Sequence, residues 1–280
     1  MIFTSYFNYF NNSYRVKSIE NFKKKYKNFI ISGISDTEQF NYNYKSKDKL
    51  FLKENLLNLA INKNINSLDY IFWIDNDVYF KDNDWYSKAV DKLESGYDVI
   101  QLFNKCYHFD SNYTLSSPIP GFIFNKQKNN LHGHCGFAWA MKKKLFLHLE
   151  GLYEFNIAGT GDGIMARCFI QEKIASYSES LSIKNKFAFF PFSENHCKTI
   201  QNYYNKCKDI KIGYLEGDVF HEYHGELQRR NYLERYKIYE DNKFDPINML
   251  YKYDGIIQIN EQYNKLKYDI EDFLKFKETI

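Results

Sequence analysis

The sequence predicts an α/β domain with a mostly parallel central sheet flanked by helices, together with a helical C-terminal extension. Short β-rich runs alternate with helix-periodic segments through the first hundred residues. The run "DYIFWIDND" (69–77) holds a strand that is apolar on both faces, as a buried parallel strand must be. With 280 residues, 44% hydrophobic and 19% aromatic, the chain is long enough and apolar enough for one sizeable core.

The elements follow in order. "IFTSYF" (2–7) and "NFIISGI" (28–34) read as strands, and between them Val16, Ile19, Phe22 and Tyr26 recur at helical spacing, a β-α-β opening. "KDKLFLKENLLNLAINKNI" (47–65) is a helix leading into the apolar strand. "NDWYSKAVDKLESG" (83–96) is a capped helix and "YDVIQLF" (97–103) the next strand. The pattern lapses over 104–134, where "SSPIPG" marks a loop, and resumes with the strand "CGFAWAM" (135–141) and the short helix "KKKLFLHLEGLY" (142–153). "NIAGTGDGIMARCFIQE" (156–172) runs from a glycine-rich loop into a helix. "SYSESLSIKNK" (176–186) reads as a mobile polar stretch, "FAFFPF" (187–192) as a short strand and "GDVFHEYHG" (217–225) as a late strand. "ELQRRNYLERYKIYE" (226–240) is helical, and Tyr263, Leu266, Ile270, Phe273 and Phe276 or Lys277 trace the apolar face of a final helix.

The formal charge of +3, from 38 basic and 35 acidic residues, implies no broad basic face and argues against nucleic acid as a partner. "KKKYK" (23–27) reads as a solvated helix face. The N-terminus shows no signal-peptide pattern, and no apolar run reaches the ~20 residues that span a bilayer. Five cysteines, odd in number and without a CxxC pair, point to reduced thiols and a cytoplasmic setting.

Three constellations can carry chemistry. Asp75 and Asp77 close the apolar strand at the sheet edge where ligands gather, and alternation points both the same way. Such a pair can hold a hard divalent cation, although a strand-to-turn junction or a phosphatase nucleophile would use the same residues. His221 and His224, three apart, suit a manganese-type site of mixed nitrogen and oxygen ligands, or are surface or core histidines. Asp162, set among Gly159, Gly161 and Gly163 at a helix start, is placed to act as a general base on an acceptor hydroxyl, or simply to cap the helix. Trp139 offers a ring for a sugar, but a buried core aromatic on a strand is the better reading.

In motif order the chain resembles glycosyltransferases of the GT-A fold, most of all the β1,4-galactosyltransferase type. That family has an apolar strand ending in Asp-x-Asp, preceded by a helix with a Phe-x-Arg-x-x-Leu-Leu-Asn pattern; here stand "YIFWIDND" and "FLKENLLN", with Lys53 at the arginine position. A glycine-rich strand, a glycine-rich acidic loop opening a helix with an arginine, and a late Met-x-x-His complete the family set; here they are "CGFAWAM", "GTGDGIMAR" and the pair His221 and His224. The resemblance covers residues 1–235 as one transferase domain and leaves 236–280 as the helical extension.

It implies an inverting transferase that moves a sugar from a nucleotide-diphosphate donor, first of all a UDP-sugar, to a hydroxyl of a glycan, glycoprotein or other acceptor. Asp77, His221 and His224 would hold Mn²⁺ or Mg²⁺, Asp162 would be the base, and Asp75, Lys53, Phe51 and Tyr6 would contact the donor. The chain departs from the family at its first strand, which reads "SYFNYF" in place of Pro-Phe-Arg. It also lacks the tryptophan before the acidic loop, so galactose specificity does not carry over. A non-catalytic glycan- or partner-binding module is the alternative. A DxD phosphohydrolase ranks below both, because two strands precede this pair and Val78 follows it where that class has threonine.

Overall fold

Alternation along "YIFWI" dictates a strand with apolar side chains on both faces, and the computed structural model, which describes residues 1–182, 190–225 and 232–278, places it near the middle of the main sheet. In chain order the elements are β1 (Ile2–Phe7), α1 (Ser13–Lys25), β2 (Phe29–Ile34), β3 (Tyr42–Tyr44), α2 (Lys53–Asn64), β4 (Tyr70–Ile74), β5 (Val78–Phe80), α3 (Trp85–Glu94) and β6 (Val99–Gln101). There follow β7 (Lys105–His108), β8 (Ile119–Pro120), α4 (Phe122–Lys126), β9 (Ala138–Lys142), α5 (Lys143–Leu149), α6 (Gly161–Phe169), α7 (Tyr177–Leu181) and α8 (Glu194–Lys206). The chain closes with β10 (Ile212–Tyr214), β11 (Asp218–His221), α9 (Tyr232–Asp241), α10 (Pro246–Met249), β12 (Leu250–Tyr253), β13 (Ile256–Ile259) and α11 (Asn264–Glu278).

The seven-stranded sheet has the order β10-β6-β9-β4-β1-β2-β3, parallel except for β9, which runs antiparallel between β4 and β6. Ile71 and Trp73 of β4 pack with α2, α5 and α6 on one face, while Phe72 and Ile74 pack with α1 and α3 on the other. Helices thus cover both faces, as a mostly parallel sheet requires. A second sheet, β5-β11-β7-β8, stands beside the first. Among the described residues no helix is long and apolar enough to cross a membrane.

Local chemistry sets the ends of the elements. Asn12 caps α1 by accepting from the Tyr14 and Arg15 N–H groups, and Lys23, Lys24 and Lys25 fill its last turn, where the helix dipole favours cations. The expected helix over 47–65 begins only at Lys53, because Leu50 and Leu52 are drawn into the core and the Phe51 N–H donates to Ile157 O at 2.8 Å. The patternless stretch 104–134 holds β7, β8 and α4, elements too short to show a period. The polar stretch after 175 begins with α7, opened by a Ser176–Glu179 capping box, and α8 follows Ser193. The first half of the strand expected at 187–192 and the first part of the helix expected at 226–240 lie outside the described residues, and residues 190–192 form no strand.

The C-terminal segment is not wholly helical. Leu250–Ile259 forms a β-hairpin whose turn residues, Asp254 and Gly255, both have positive φ. Hairpin, α9 and α11 share one apolar cluster with Leu50, Leu52 and Leu56, so the segment packs directly on the start of α2.

Asn58, the last residue of "FLKENLLN", is a structural clamp. Its side chain accepts from the Leu152 N–H at 2.8 Å and donates to the Leu152 carbonyl at 2.9 Å. Replacing it with alanine leaves two buried backbone groups without partners. Asn58→Ala is expected to destabilise the fold by about 2–4 kcal/mol, read as a fall in the urea midpoint with an unchanged slope.

Candidate active site

Beyond the carboxyl ends of β1 and β4 the chain turns sharply. The Asp75 N–H donates to Phe137 O (2.8 Å), Asn76 Nδ2 donates to Ser5 O (2.7 Å), and the Val78 N–H folds back onto Asp75 O (3.1 Å). From there β5 leaves the main sheet and pairs antiparallel with β11, setting Val78 opposite His221, and the Glu222 N–H donates to Asp77 O at 2.8 Å. Residues 144 positions apart in sequence, Asp77 and His221, therefore become neighbours through three paired residues.

Asp77 Oδ2 lies 3.5 Å from His221 Nε2 and 3.3 Å from His224 Nε2, and candidate ligand atoms of all three residues lie within 4.8 Å of one another. Two ligands each about 2.1 Å from one octahedral cation stand about 3.0 Å apart when adjacent and about 4.2 Å when opposite, so both Asp77 distances fit a shared ion. Asp77 Oδ1 is buried and has no hydrogen-bond partner, an arrangement that is costly for a carboxylate unless a cation satisfies it. Burial opposes the charge on Asp77, but the His221 and His224 imidazoles outweigh it and hold the carboxyl well below its usual range. This donor set suits a divalent metal of mixed nitrogen and oxygen preference.

A second charged cluster adjoins the first. Lys53, the first residue of α2, is buried with Nζ 2.5 Å from Asp75 Oδ1 and 3.8 Å from Asp162 Oδ2. Burial works against its charge, and the carboxylates of Asp75 and Asp162 reverse the balance, so Lys53 stays protonated. Burial dominates at Asp75, opposed by Lys53 and reinforced by Asp77, and raises its pKa to about 6. Asp162 opens α6, where Oδ1 accepts from the Gly163 N–H at 2.8 Å. Its Oδ2 packs on Gly136 so closely that a Cβ there would lie 2.3 Å away, so any side chain at 136 would displace the Asp162 carboxylate. Glu54 lies under the same helix end; a Cβ on Gly161 would meet its carboxyl carbon at 2.8 Å. Burial raises the Glu54 pKa to about 8, with Lys53 opposing and Asp162 adding to the shift.

Both clusters open into one cavity of about 600 Å³. Of the residues singled out in the sequence, Phe51, Lys53, Asp75, Asp77, Asp162, His221 and His224 line it. Tyr6 does not. Ser5 and Phe7 of β1 face the cavity, so strand alternation turns Tyr6 away, onto Phe40 at a ring separation of 5.0 Å and with its hydroxyl accepting from Asn8 Nδ2. Trp139 is a core residue, stacked on Trp73 at 6.2 Å and donating Nε1–H to Cys135 O.

Several lining residues escaped the sequence reading. His108 arrives because β7 pairs with β11 in a register that sets it beside His221, with ring centroids 4.8 Å apart. Neither it nor His134 lies in a periodic segment. Arg15, Arg167 and Arg235 do carry a usable signal. The chain has five arginines, and the three in described positions all line the cavity. In so lysine-rich a chain, arginine marks places that need a permanent planar cation.

No protein-family model matches the chain, and no curated protein does. Among solved structures it is similar to a 4-diphosphocytidyl-2C-methyl-D-erythritol synthase from Anaerococcus prevotii, at 10% identity and a TM-score of 0.28 over 72% of this chain and 77% of that one. It is also similar to a protein named as a glucose-1-phosphate thymidylyltransferase from Bacillus anthracis, at 12% identity and a TM-score of 0.27 over 74% and 75%. Likenesses this distant assign no ligand or reaction to the chain.

The position of Glu54 has a consequence for stability. Its folded-state pKa of about 8 stands above the 4.5 of an exposed glutamate, so the folded chain binds the extra proton. Its contribution is whole below pH 4.5 and drains away as the pH rises through 8. Glu54→Gln, which mimics the protonated acid, is expected to lessen the loss of stability between pH 5.5 and 8.5 by on the order of 2 kcal/mol, read from urea midpoints at the two pH values.

Proposed function

We propose that the chain is a metal-dependent, inverting glycosyltransferase of the GT-A type, transferring a sugar from a nucleotide-diphosphate donor, a UDP-sugar foremost, to an acceptor hydroxyl. One observation carries this reading: the ligand-like trio Asp77, His221 and His224 opens into the same cavity as Asp162, a carboxylate at a helix start. The trio would hold Mn²⁺ or Mg²⁺, which when bound supplies Lewis-acid stabilisation to the departing diphosphate.

The remaining work falls to the chain's own side chains. Asp162 accepts the proton of the acceptor hydroxyl as its oxygen bonds to the anomeric carbon. The bond from that carbon to the diphosphate breaks on the opposite face and leaves its electron pair on the diphosphate oxygen, so the configuration inverts. Lys53, within reach of both Asp75 and Asp162, sets one positive charge beside the two carboxylates and lessens their mutual repulsion. Asp75, held by Lys53, lines the same cavity and would contact the donor. The walls of the cavity would hold donor and acceptor in one orientation.

A phosphohydrolase that uses Asp75 as nucleophile and Asp77 as acid finds less support. Asp77 is held ionised by its histidines and has no proton to give. A non-catalytic glycan-binding module would keep its affinity when Asp162 is changed.

The test is release of UDP from common UDP-sugars with Mn²⁺, with and without simple glycan acceptors. Asp162→Asn is expected to lower turnover by ~10²–10⁴-fold while Mn²⁺·UDP affinity stays within about threefold. A wild-type chain that turns over no donor and binds none would end the transferase reading. His221→Ala is expected to weaken Mn²⁺ binding by at least about tenfold, since it removes one of the three protein ligands; electron paramagnetic resonance of the free ion measures it.

A further inference from the structure

Thr160, the residue before α6, holds an unfavourable backbone conformation. Its φ of +84° puts a β-branched residue in the left-handed region that glycine enters freely. The loop around it leaves no slack. The Phe51 N–H donates to Ile157 O at 2.8 Å, the Ala158 N–H to the Tyr239 hydroxyl of α9 at 2.7 Å, and the Gly159 N–H to Asn156 O at 3.1 Å. Contacts from both sides thus impose a conformation that threonine by itself avoids. Strain kept in this way gathers where a side chain is needed in one place.

The Thr160 hydroxyl does not cap α6, the ordinary use of threonine at that position. Instead Oγ1 accepts from Asn156 Nδ2 at 2.7 Å, and Asn156 Oδ1 stands 3.2 Å from Nε2 of His196 on α8. Asn156 and His196 are both buried. The direction of this relay is set at its far end. The Phe192 N–H donates to His196 Nδ1 at 3.3 Å, so that nitrogen carries no proton and the N–H of the neutral ring is at Nε2. Burial, against a weaker pull from Asp245, lowers the His196 pKa to about 3 and agrees with a neutral ring. Nε2–H therefore donates to Asn156 Oδ1 and leaves the amide NH₂ to face Thr160. Since Thr160 Oγ1 receives that proton, its own must point elsewhere, and it meets no acceptor among the described residues. Thr160 is only 8% exposed, yet it lines the cavity together with Asp162.

We propose that Thr160 is a specificity-determining residue whose O–H points into the cavity and donates to the oxygen of a sugar hydroxyl, with Asn156 and His196 as the positioning residues that hold it in the donor role. The proposal rests on the transferase reading above. A hydroxyl free to rotate would give or accept a hydrogen bond as the ligand required. One that is already occupied as an acceptor selects ligand oxygens that can accept. An ionised carboxylate, which only accepts, and a hydroxyl held as a donor thereby read the two halves of a sugar hydroxyl's chemistry in one cavity. The oxygen belongs either to the donor's sugar or to the acceptor, and the two sources are separable by experiment.

Calorimetric titration of the full chain with UDP, UDP-glucose and UDP-galactose, Mn²⁺ present, reads the donor arm. Turnover of the same donors with glucose, lactose or water as acceptor reads the other. Thr160→Val, which keeps the shape without the O–H, and Thr160→Gly, which also relieves the left-handed strain, are each expected to lose about three- to tenfold in one arm. A donor-sugar contact weakens binding of the UDP-sugars and spares UDP, whereas an acceptor contact lowers turnover at unchanged UDP-sugar affinity. Thr160→Ser, which keeps the hydroxyl, should stay within about twofold. Thr160→Gly should unfold in urea no earlier than Thr160→Val, so that its loss does not trace to a damaged fold. The imidazole ¹⁵N resonances of His196 should report the Nε2–H form at pH 6 and pH 8 alike. Wild-type affinity and turnover in both variants, an equal loss for UDP, or a proton on His196 Nδ1 would overturn the proposal alone. A wild-type chain that neither binds a UDP-sugar nor releases UDP would overturn it together with the transferase reading.

Discussion

The pairing of two short strands, β5 and β11, is the constraint on which the cavity depends. Direct partners in an antiparallel pair share a face, so Val78 with His221 and Phe80 with Val219 point inward, while Tyr79 and Phe220 stack on the outer side at 5.4 Å. Tyr107 of β7 extends that outer ladder, 5.5 Å from Phe220. A slip of one residue would exchange the two faces, bury the aromatic ladder's polar edges and carry His221 to the outside. Burial of Val78, Phe80 and Val219 therefore fixes the imidazole as firmly as any contact the imidazole makes itself.

Two aspartates that share one turn acquire opposite characters from their surroundings. Asp77 faces two imidazoles and ionises readily, whereas Asp75, largely removed from water and repelled by Asp77, holds its proton to about pH 6 even beside Lys53. A lone lysine shared by Asp75 and Asp162 cannot cancel both carboxylates fully, and the deeper Glu54 stays protonated to about pH 8. The site is thus graded, from a permanently charged corner at Asp77 to a neutral carboxyl under α6. Burial sets the direction of that gradient, and the cations set its steps.

Much of this was legible in the residues. The apolar β4 run, the helix periods of α1 and α3 and the amphipathic α11 all report burial directly, so the mostly parallel sheet with flanking helices follows from the pattern. The Asp-x-Asp and the late histidines stood out because charge at the end of an apolar strand is conspicuous. Tyr6 was misplaced for want of parity. Ser5 and Phe7 look into the cavity, and a residue between them cannot. The hairpin at 250–259 announces itself through Asp254-Gly255, a turn signal that the flanking helical periods obscured. His108, His134 and Lys277 reach the cavity only by tertiary routes, through strand registers and helix packing that no local pattern encodes.

One reversed strand has a wider effect. A parallel strand delivers to the ligand-binding edge only the loop that leaves it, but β9 runs the other way and delivers the loop that enters it. That is how His134 and Gly136 come to stand beside Asp162, next to residues that leave β4. The stretch before them, residues 127–132, is solvent-facing and supplies no strand to either sheet. Its length and chemistry can change while every strand register stays intact, and the lining residues Gly133 and His134 that follow it are the first to feel such a change.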